Sequence, residues 1–462
     1  MNTKKWVGFA AATAAIVAAQ FLPAMGSLSV QGIKTVGLLV AFLIMLVTEA
    51  LPVVVTSLLF CGLMPILGVT NGLGTALSGY AQPIVFFTLA SFGIAAAITT
   101  TPLSKRILRA LMRAFGNSIE TALLAIMICA AIVSSLVSNV PTCAIFMAIS
   151  LSFVDLYKEE AARRTTARAF MIAVPVASMI GGMMTPAGSS INLLAIAQLE
   201  SLTGKTITFI QWMCAGIPLT LVMVPLAWFL IIKIYKPVQV SRQEIQNFVN
   251  NMDVPDKMGV QEIKVVCLIA LMLALWIASS WISTINVMVV AILGCCALFL
   301  PGMRILSIDS FLRENSWDAF FLVGTVLSIS SAMISNGVSG AIAGALPALQ
   351  ISTAALIVFT ALLIFTSLVV IPVATSMIPI MAVPLVAIAT GSGSSPALIL
   401  MAAALCAGNC YLLPLDTVTL ITYAKGYYSM TDMAKSTVFL QLAMVALCAL
   451  WLPVVGRLFG MA

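Results

Sequence analysis

Histidine is absent from all 462 residues. Histidine proton relays, histidine metal sites and Ser-His-Asp catalysis are therefore excluded. Charge is scarce: 8% of residues are Asp, Glu, Lys or Arg, where soluble globular domains carry roughly 25%. At 62% hydrophobic, the chain lacks the polar surface needed to cover a water-soluble core. The ten cysteines show no CxxC…CxxC pattern, so neither zinc nor a disulfide framework is indicated. They read as small packing residues. No carboxylates pair in mid-segment, and with no histidine an embedded enzyme lacks a base. The chain reads as a non-enzyme.

What the chain has is apolar length. Many windows approach the run of about 20 apolar residues that spans a bilayer. Spans are expected at 6–24, 34–49, 51–68, 83–101, 169–199, 210–233, 263–283, 286–301, 316–335, 396–424 and 436–456. Re-entrant hairpins are expected at 119–153 and 353–390. The fold class is then an all-α membrane protein of about 11 transmembrane helices plus two hairpins. The net charge of +7 sits in loops and is no nucleic-acid signal. A cytoplasmic N-terminus leaves only three of the 22 basic residues outside, Lys34, Lys205 and Arg457. That bias is the expected orientation signal for a multi-pass inner-membrane protein.

Within 121–153 no residue is charged, yet a polar, helix-breaking run, Ser138-Asn139-Val140-Pro141-Thr142, interrupts it. Its flanks are basic on both sides: Lys105, Arg106, Arg109 and Arg113 before, Lys158, Arg163, Arg164 and Arg168 after. The segment therefore enters from the cytoplasm, turns and goes back. Irregular backbone at membrane depth survives only where protein or a watery cavity satisfies it.

The one long polar stretch, 236–262, splits the chain and reads as a cytoplasmic linker. After an N-terminal helix in 1–33, it separates a first half, 34–235, from a second, 263–462. The halves share an order. The first has a tip at 138–142, then a break at Thr185-Pro186-Ala187-Gly188-Ser189-Ser190-Ile191-Asn192. The second has a tip at Ile371-Pro372-Val373-Ala374-Thr375, then a break at Leu413-Pro414-Leu415-Asp416-Thr417. Paired interruptions in corresponding places point to inverted repeats and a transporter binding site. Pro and Gly also simply kink packed helices, but four breaks in matched order favour the functional reading.

Unwound tips expose helix N-termini that attract anions, and carbonyls and hydroxyls that coordinate sodium. Ser134 and Ser138, four apart, share a helix face. With Asn139 and a carbonyl near Gly188 they make an uncharged, all-oxygen cluster suited to a hard monovalent cation. A transition metal would recruit Cys or His.

These residues resemble the divalent anion:sodium symporter family, which carries di- and tricarboxylates or sulfate. That family has a Ser-Asn-Thr motif at each of two hairpin tips; here the first reads Ser138-Asn139-Val140, continuing Pro141-Thr142-Cys143-Ala144. The segment Gly181-Gly182-Met183-Met184-Thr185-Pro186-Ala187-Gly188 is similar to the family's Gly-rich break. Thr48-Glu49-Ala50-Leu51-Pro52 and Leu413-Pro414-Leu415-Asp416-Thr417 extend the likeness to both ends of the chain. The resemblance implies a first sodium site at Ser134, Ser138, Asn139 and Gly188. It implies substrate contacts at Ser138, Asn139, Val140, Ser189, Asn192, Thr375, Ser376 and Thr417. It also implies a homodimer in which a scaffold holds the interface and a hairpin-bearing domain moves as an elevator.

Two departures stand out. Ile371-Pro372-Val373 replaces the polar letters of the second tip, which suits a smaller anion or one with an apolar end. Asp416 takes a position that is usually small. It either caps the second half-helix or, with the Ala374 carbonyl, forms a second cation or proton site. The expected function is sodium-coupled symport of a small anion, dicarboxylate-like, another carboxylate, or sulfate or sulfonate. The alternative is proton-coupled or exchange transport through Asp416, where H+ replaces or joins Na+. An ion channel, which would want a continuous polar lining, fits less well. No organic cofactor is expected, and the partners are the anion, membrane lipid and a second copy.

Overall fold

The computed structural model describes residues 3–25, 28–282, 284–338, 341, 351–370 and 374–461. Among these the regular elements are helices, and one isolated bridge joins Met25 to Leu28. Each expected span falls on a helix or an interrupted helix. Seven of the described helices are individually long and apolar enough to cross a membrane. Others are shorter, such as Val53–Ile66 and Val287–Ala297.

Local sequence explains the interruptions. Ile119–Val137 starts in a capping box made by Ser118 and Thr121. It ends at Ser138, and Asn139–Val154 begins at the next residue. Pro141 lies in the first turn of that helix, where no N–H partner is lost. Glu160–Gly182 stops after two poor helix formers, Gly181 and Gly182. Thr185 then caps a short turn, Pro186–Gly188, and Ser189 caps Ser190–Thr203. In the second half Pro396–Ala407 and Thr417–Tyr423 are the two pieces of one interrupted helix.

The first hairpin returns to the side it came from. Near one base, the Gln239 amide donates to Glu120 Oε1 at 2.7 Å. Near the other, the Tyr157 hydroxyl donates to the Val238 carbonyl, and the Phe153 ring meets Phe248 edge-on at 4.9 Å. Both bases thus meet the linker, 236–262. The linker carries its own helix, Arg242–Asn250. It is held by Arg106, whose Nε lies 2.6 Å from Glu262, and by Arg109, which donates to the Val254 carbonyl at 2.8 Å.

Arg106 and Arg109 belong to a helix the apolar pattern does not anticipate. Leu103–Phe115 bends by 60° away from Pro83–Thr99 and carries Lys105 and Arg113 as well. A basic, strongly amphipathic helix of this kind suits the membrane–water interface.

The helices fall into two groups by contact. One contains both hairpins, both interrupted helices, Phe209–Tyr235 and Met430–Leu458. The other contains the N-terminal helices, Pro83–Thr99, Val260–Ala278, Val287–Ala297 and Trp317–Ser335. Within the first group, each hairpin packs on its own interrupted helix and also reaches across. Asn139–Val154 packs on Thr417–Tyr423, and Ala374–Gly391 packs on Ser190–Thr203. The buried centre is rich in small residues, as in Ala402, Ala403 and Ala404, which lets backbones approach closely.

Candidate functional site

The first hairpin tip and the first break close on each other through backbone and amide chemistry. The end of the Asn139 carboxamide lies 2.8 Å from Ser134 Oγ, 3.1 Å from the Ser178 carbonyl and 3.3 Å from the Gly188 carbonyl. Asn139 is 7% exposed and Ser134 is fully buried. Hydrogen bonding assigns the amide nitrogen to this position. Turned over, the amide would place a fourth oxygen there, where it accepts from the Ser134 hydroxyl and completes a set of oxygens suited to a cation.

The break supports this cluster. Thr185 Oγ1 donates to the Ser135 carbonyl at 2.5 Å and accepts from the Gly188 N–H at 3.1 Å. Asn192 donates to the carbonyls of Gly182 at 2.8 Å and Thr185 at 3.0 Å, so its amide protons serve the unwound backbone. Ser189 Oγ accepts from the Ile191 N–H at 3.3 Å as a helix cap. The Trp212 indole donates to the Met183 carbonyl at 3.1 Å. The unwound carbonyls are thereby satisfied away from water.

Ser138 does not continue the face of Ser134. Its backbone sits at φ 90°, ψ 156°, outside helical space, so the four-residue spacing does not carry its hydroxyl into the Asn139 cluster. It borders instead a small cavity shared with Ser190. Val140 is 43% exposed. Thr417 is exposed at the start of Thr417–Tyr423.

At the second junction, Asp416 Oδ1 accepts from the Val418 N–H at 2.9 Å, capping that helix. Asp416 also shares a cavity of about 10 Å³ with Ala374, Cys410, Leu368 and Val369. The candidate pair Asp416 and Ala374 is thus brought together. Thr375 is half-buried near the start of Ala374–Gly391. Ile371, Pro372 and Val373, and the side chain of Ser376, lie outside the described residues. The two breaks meet where Asn409 Nδ2 lies 3.7 Å from Met183 Sδ. Asn409 Oδ1 is buried without a partner among the described residues.

Sequence reasoning missed Ser178, Asn409 and the support role of Thr185. Ser178 acts through a carbonyl, which no side-chain pattern announces. Thr185-Pro186 did carry a signal, a helix cap followed by proline at the first position.

A model of the sodium:sulfate symporter transmembrane region matches residues 3–461. The chain belongs to the sodium:sulfate symporter family. Among relatives, the sodium-dependent dicarboxylate transporter SdcS of Staphylococcus aureus is 29% identical over 424 residues, covering 84% of this chain and 79% of that protein. A protein of Cupriavidus necator described as a membrane protein is 23% identical over 355 residues, covering 72% of this chain and 68% of that one. Among solved structures, the YdaH transporter of Alcanivorax borkumensis superposes with a TM-score of 0.59 at 14% identity, over 85% of this chain and 87% of that one. The fold of this symporter-family member is therefore that of an all-α, multi-pass membrane transporter.

Proposed function

We propose that this protein is a secondary active transporter that couples inward movement of sodium to a small anion of the dicarboxylate or sulfate kind. The observation that carries the reading is the set of oxygens that meets at the end of the Asn139 side chain: the Ser134 hydroxyl, the Ser178 and Gly188 carbonyls and, with the amide turned over, the Asn139 carboxamide oxygen, all uncharged and buried. Such a set suits a hard monovalent cation and leaves the anion to helix N-termini and hydroxyls. The cation offsets the anion's charge in a low-dielectric site, which is the physical basis for coupling. The two helix groups then act as a static scaffold and a moving, hairpin-bearing domain of inverted repeats. The assembly is a homodimer in an inner membrane with its N-terminus in the cytoplasm. The name of the staphylococcal relative supports the dicarboxylate end of the range.

The test is uptake of labelled succinate and sulfate into proteoliposomes under an inward sodium gradient, against potassium. Sodium-dependent accumulation that Asn139→Ala abolishes is expected. Uptake indifferent to sodium in the unaltered protein overturns the coupling.

A second reading, proton coupling, is favoured by the cavity that Asp416 shares with Ala374 and Cys410. Asp416→Asn separates the two. Loss of pH-driven uptake assigns the proton to Asp416; retained sodium-driven uptake leaves the residue as a cap.

A further inference from the structure

A cavity of about 10 Å³, room for one water-sized group, lies between the first hairpin tip and the helix Pro83–Thr99. Four hydroxyl residues border it: Ser138 and Ser190 from the tip and break, Thr88 and Ser91 from Pro83–Thr99, with Phe92 and Leu193 as apolar walls. Pro83–Thr99 contains no break and belongs to the other helix group. The Thr88 hydroxyl already donates to the Ile84 carbonyl at 2.9 Å. Ser91 Oγ is different: it is buried and has no hydrogen-bond partner among the described residues. A buried hydroxyl without a partner is costly unless something else fills its place.

The electrostatics choose the sign of that partner. Ser190 opens a helix of 14 residues and Asn139 one of 16, so two N-terminal dipole ends bound this region. No charged side chain borders the cavity. A cation there would face two partial positive charges, whereas an anionic oxygen is welcome. Ser138 adds a second indication. Its φ of 90° and ψ of 156° are a conformation kept by glycine almost alone, and such strain concentrates at ligand sites.

We propose that Ser91 donates a hydrogen bond to an anionic oxygen of the transported substrate held at the first hairpin tip. The substrate is then gripped from both helix groups, and Ser91 contributes to selecting it. This rests on the reading of the protein as an anion transporter. It adds a residue from a helix that neither the motifs nor the breaks mark.

The experiment uses the full chain in proteoliposomes, with labelled succinate and sulfate as probes and Ser91→Ala and Ser91→Thr as variants. Ser91→Ala should raise KM for the carried anion roughly tenfold, the loss expected for a hydrogen bond to a charged group. With the anion held at the same multiple of each variant's KM, the half-saturating sodium concentration should not move, and Ser91→Thr should restore most of the affinity. An unchanged KM in a folded Ser91→Ala protein overturns the proposal. So does a parallel rise in KM and in the sodium requirement, which would mean Ser91 only packs the tip. If uptake proves independent of sodium while Ser91→Ala still raises KM, the coupling falls and this assignment stands. If neither anion accumulates, thermal unfolding decides. A stabilising shift by either anion that Ser91→Ala loses supports the assignment; no shift in the unaltered protein overturns both.

Discussion

Gly182 and Asn139 occupy adjoining space that no larger residue at 182 would leave: a methyl group there would overlap the Asn139 side chain. The same holds one step on, where a methyl group on Gly188 would press on the Gly182 carbonyl. The glycines after Ile180 thus do two things. They end the helix, and they let the hairpin tip seat against the break.

Gly182→Ala should therefore displace Asn139 rather than merely tighten the core. Overpacking of this kind costs about 1–3 kcal/mol. The expected outcome is a lower unfolding temperature in detergent together with a rise of roughly tenfold in half-saturating sodium. A variant that loses stability but keeps its sodium response would separate the glycine from the ion site.

Thr185 links tip and break through a hydroxyl that both donates and accepts. Thr185→Val keeps the shape and removes both bonds, leaving the Ser135 carbonyl short of a partner. The cost is about 1–3 kcal/mol, and Thr185→Ser should recover most of it. Paired measurements of thermal unfolding and sodium-driven uptake on the two variants check this. A loss in Thr185→Ser that Thr185→Val does not show would point to the methyl group instead.

Ser138 offers an opposite sign. Its backbone conformation suits glycine, so Ser138→Gly should relieve strain and stabilise the protein by about 1 kcal/mol, part of the gain being lost to chain entropy. The same change removes a hydroxyl at the tip and should weaken anion uptake. Ser138→Ala keeps the strain and loses the hydroxyl, so it should weaken uptake without stabilising. Thermal unfolding beside KM for the anion distinguishes the two. A residue that is more stable when replaced and less active marks strain kept for function.

The hairpins and breaks were legible because proline, glycine and asparagine are conspicuous inside apolar runs. Ser138-Asn139 and Thr185-Pro186 mark interruptions by residue type alone. The partners of those residues were less visible. Ser178 contributes a carbonyl, so its side chain says nothing. Ser91 and Thr88 sit in an unbroken helix, where isolated hydroxyls usually bond to their own backbone. Leu103–Phe115 reads as a basic flank because it is too short and too charged to span a bilayer. Its periodic arginines were an equally plain signal for a helix lying along the interface. The linker looks like a polar tether by composition, yet Arg106 and Arg109 fasten it to Leu103–Phe115 and Tyr157 fastens it to the base of the first hairpin.

The two helix groups touch through few polar side chains, and one such contact is fully buried. Ser330 Oγ donates to Gln198 Oε1 at 2.9 Å, joining Trp317–Ser335 to Ser190–Thr203. The Gln198 amide nitrogen has no partner among the described residues. If the hairpin-bearing group slides against the other during transport, this contact must break in every cycle. Gln198→Cys with Ser330→Cys, bridged by mercury, should therefore stop uptake reversibly, with activity returning on addition of a thiol. The unaltered protein, with its ten cysteines, is the control for mercury acting elsewhere. Anion binding measured by thermal shift should survive the bridge, because the bridge holds the arrangement in which Ser91 faces Ser138 and Ser190. Uptake that continues in the bridged protein would show that the two groups do not move past each other at this contact.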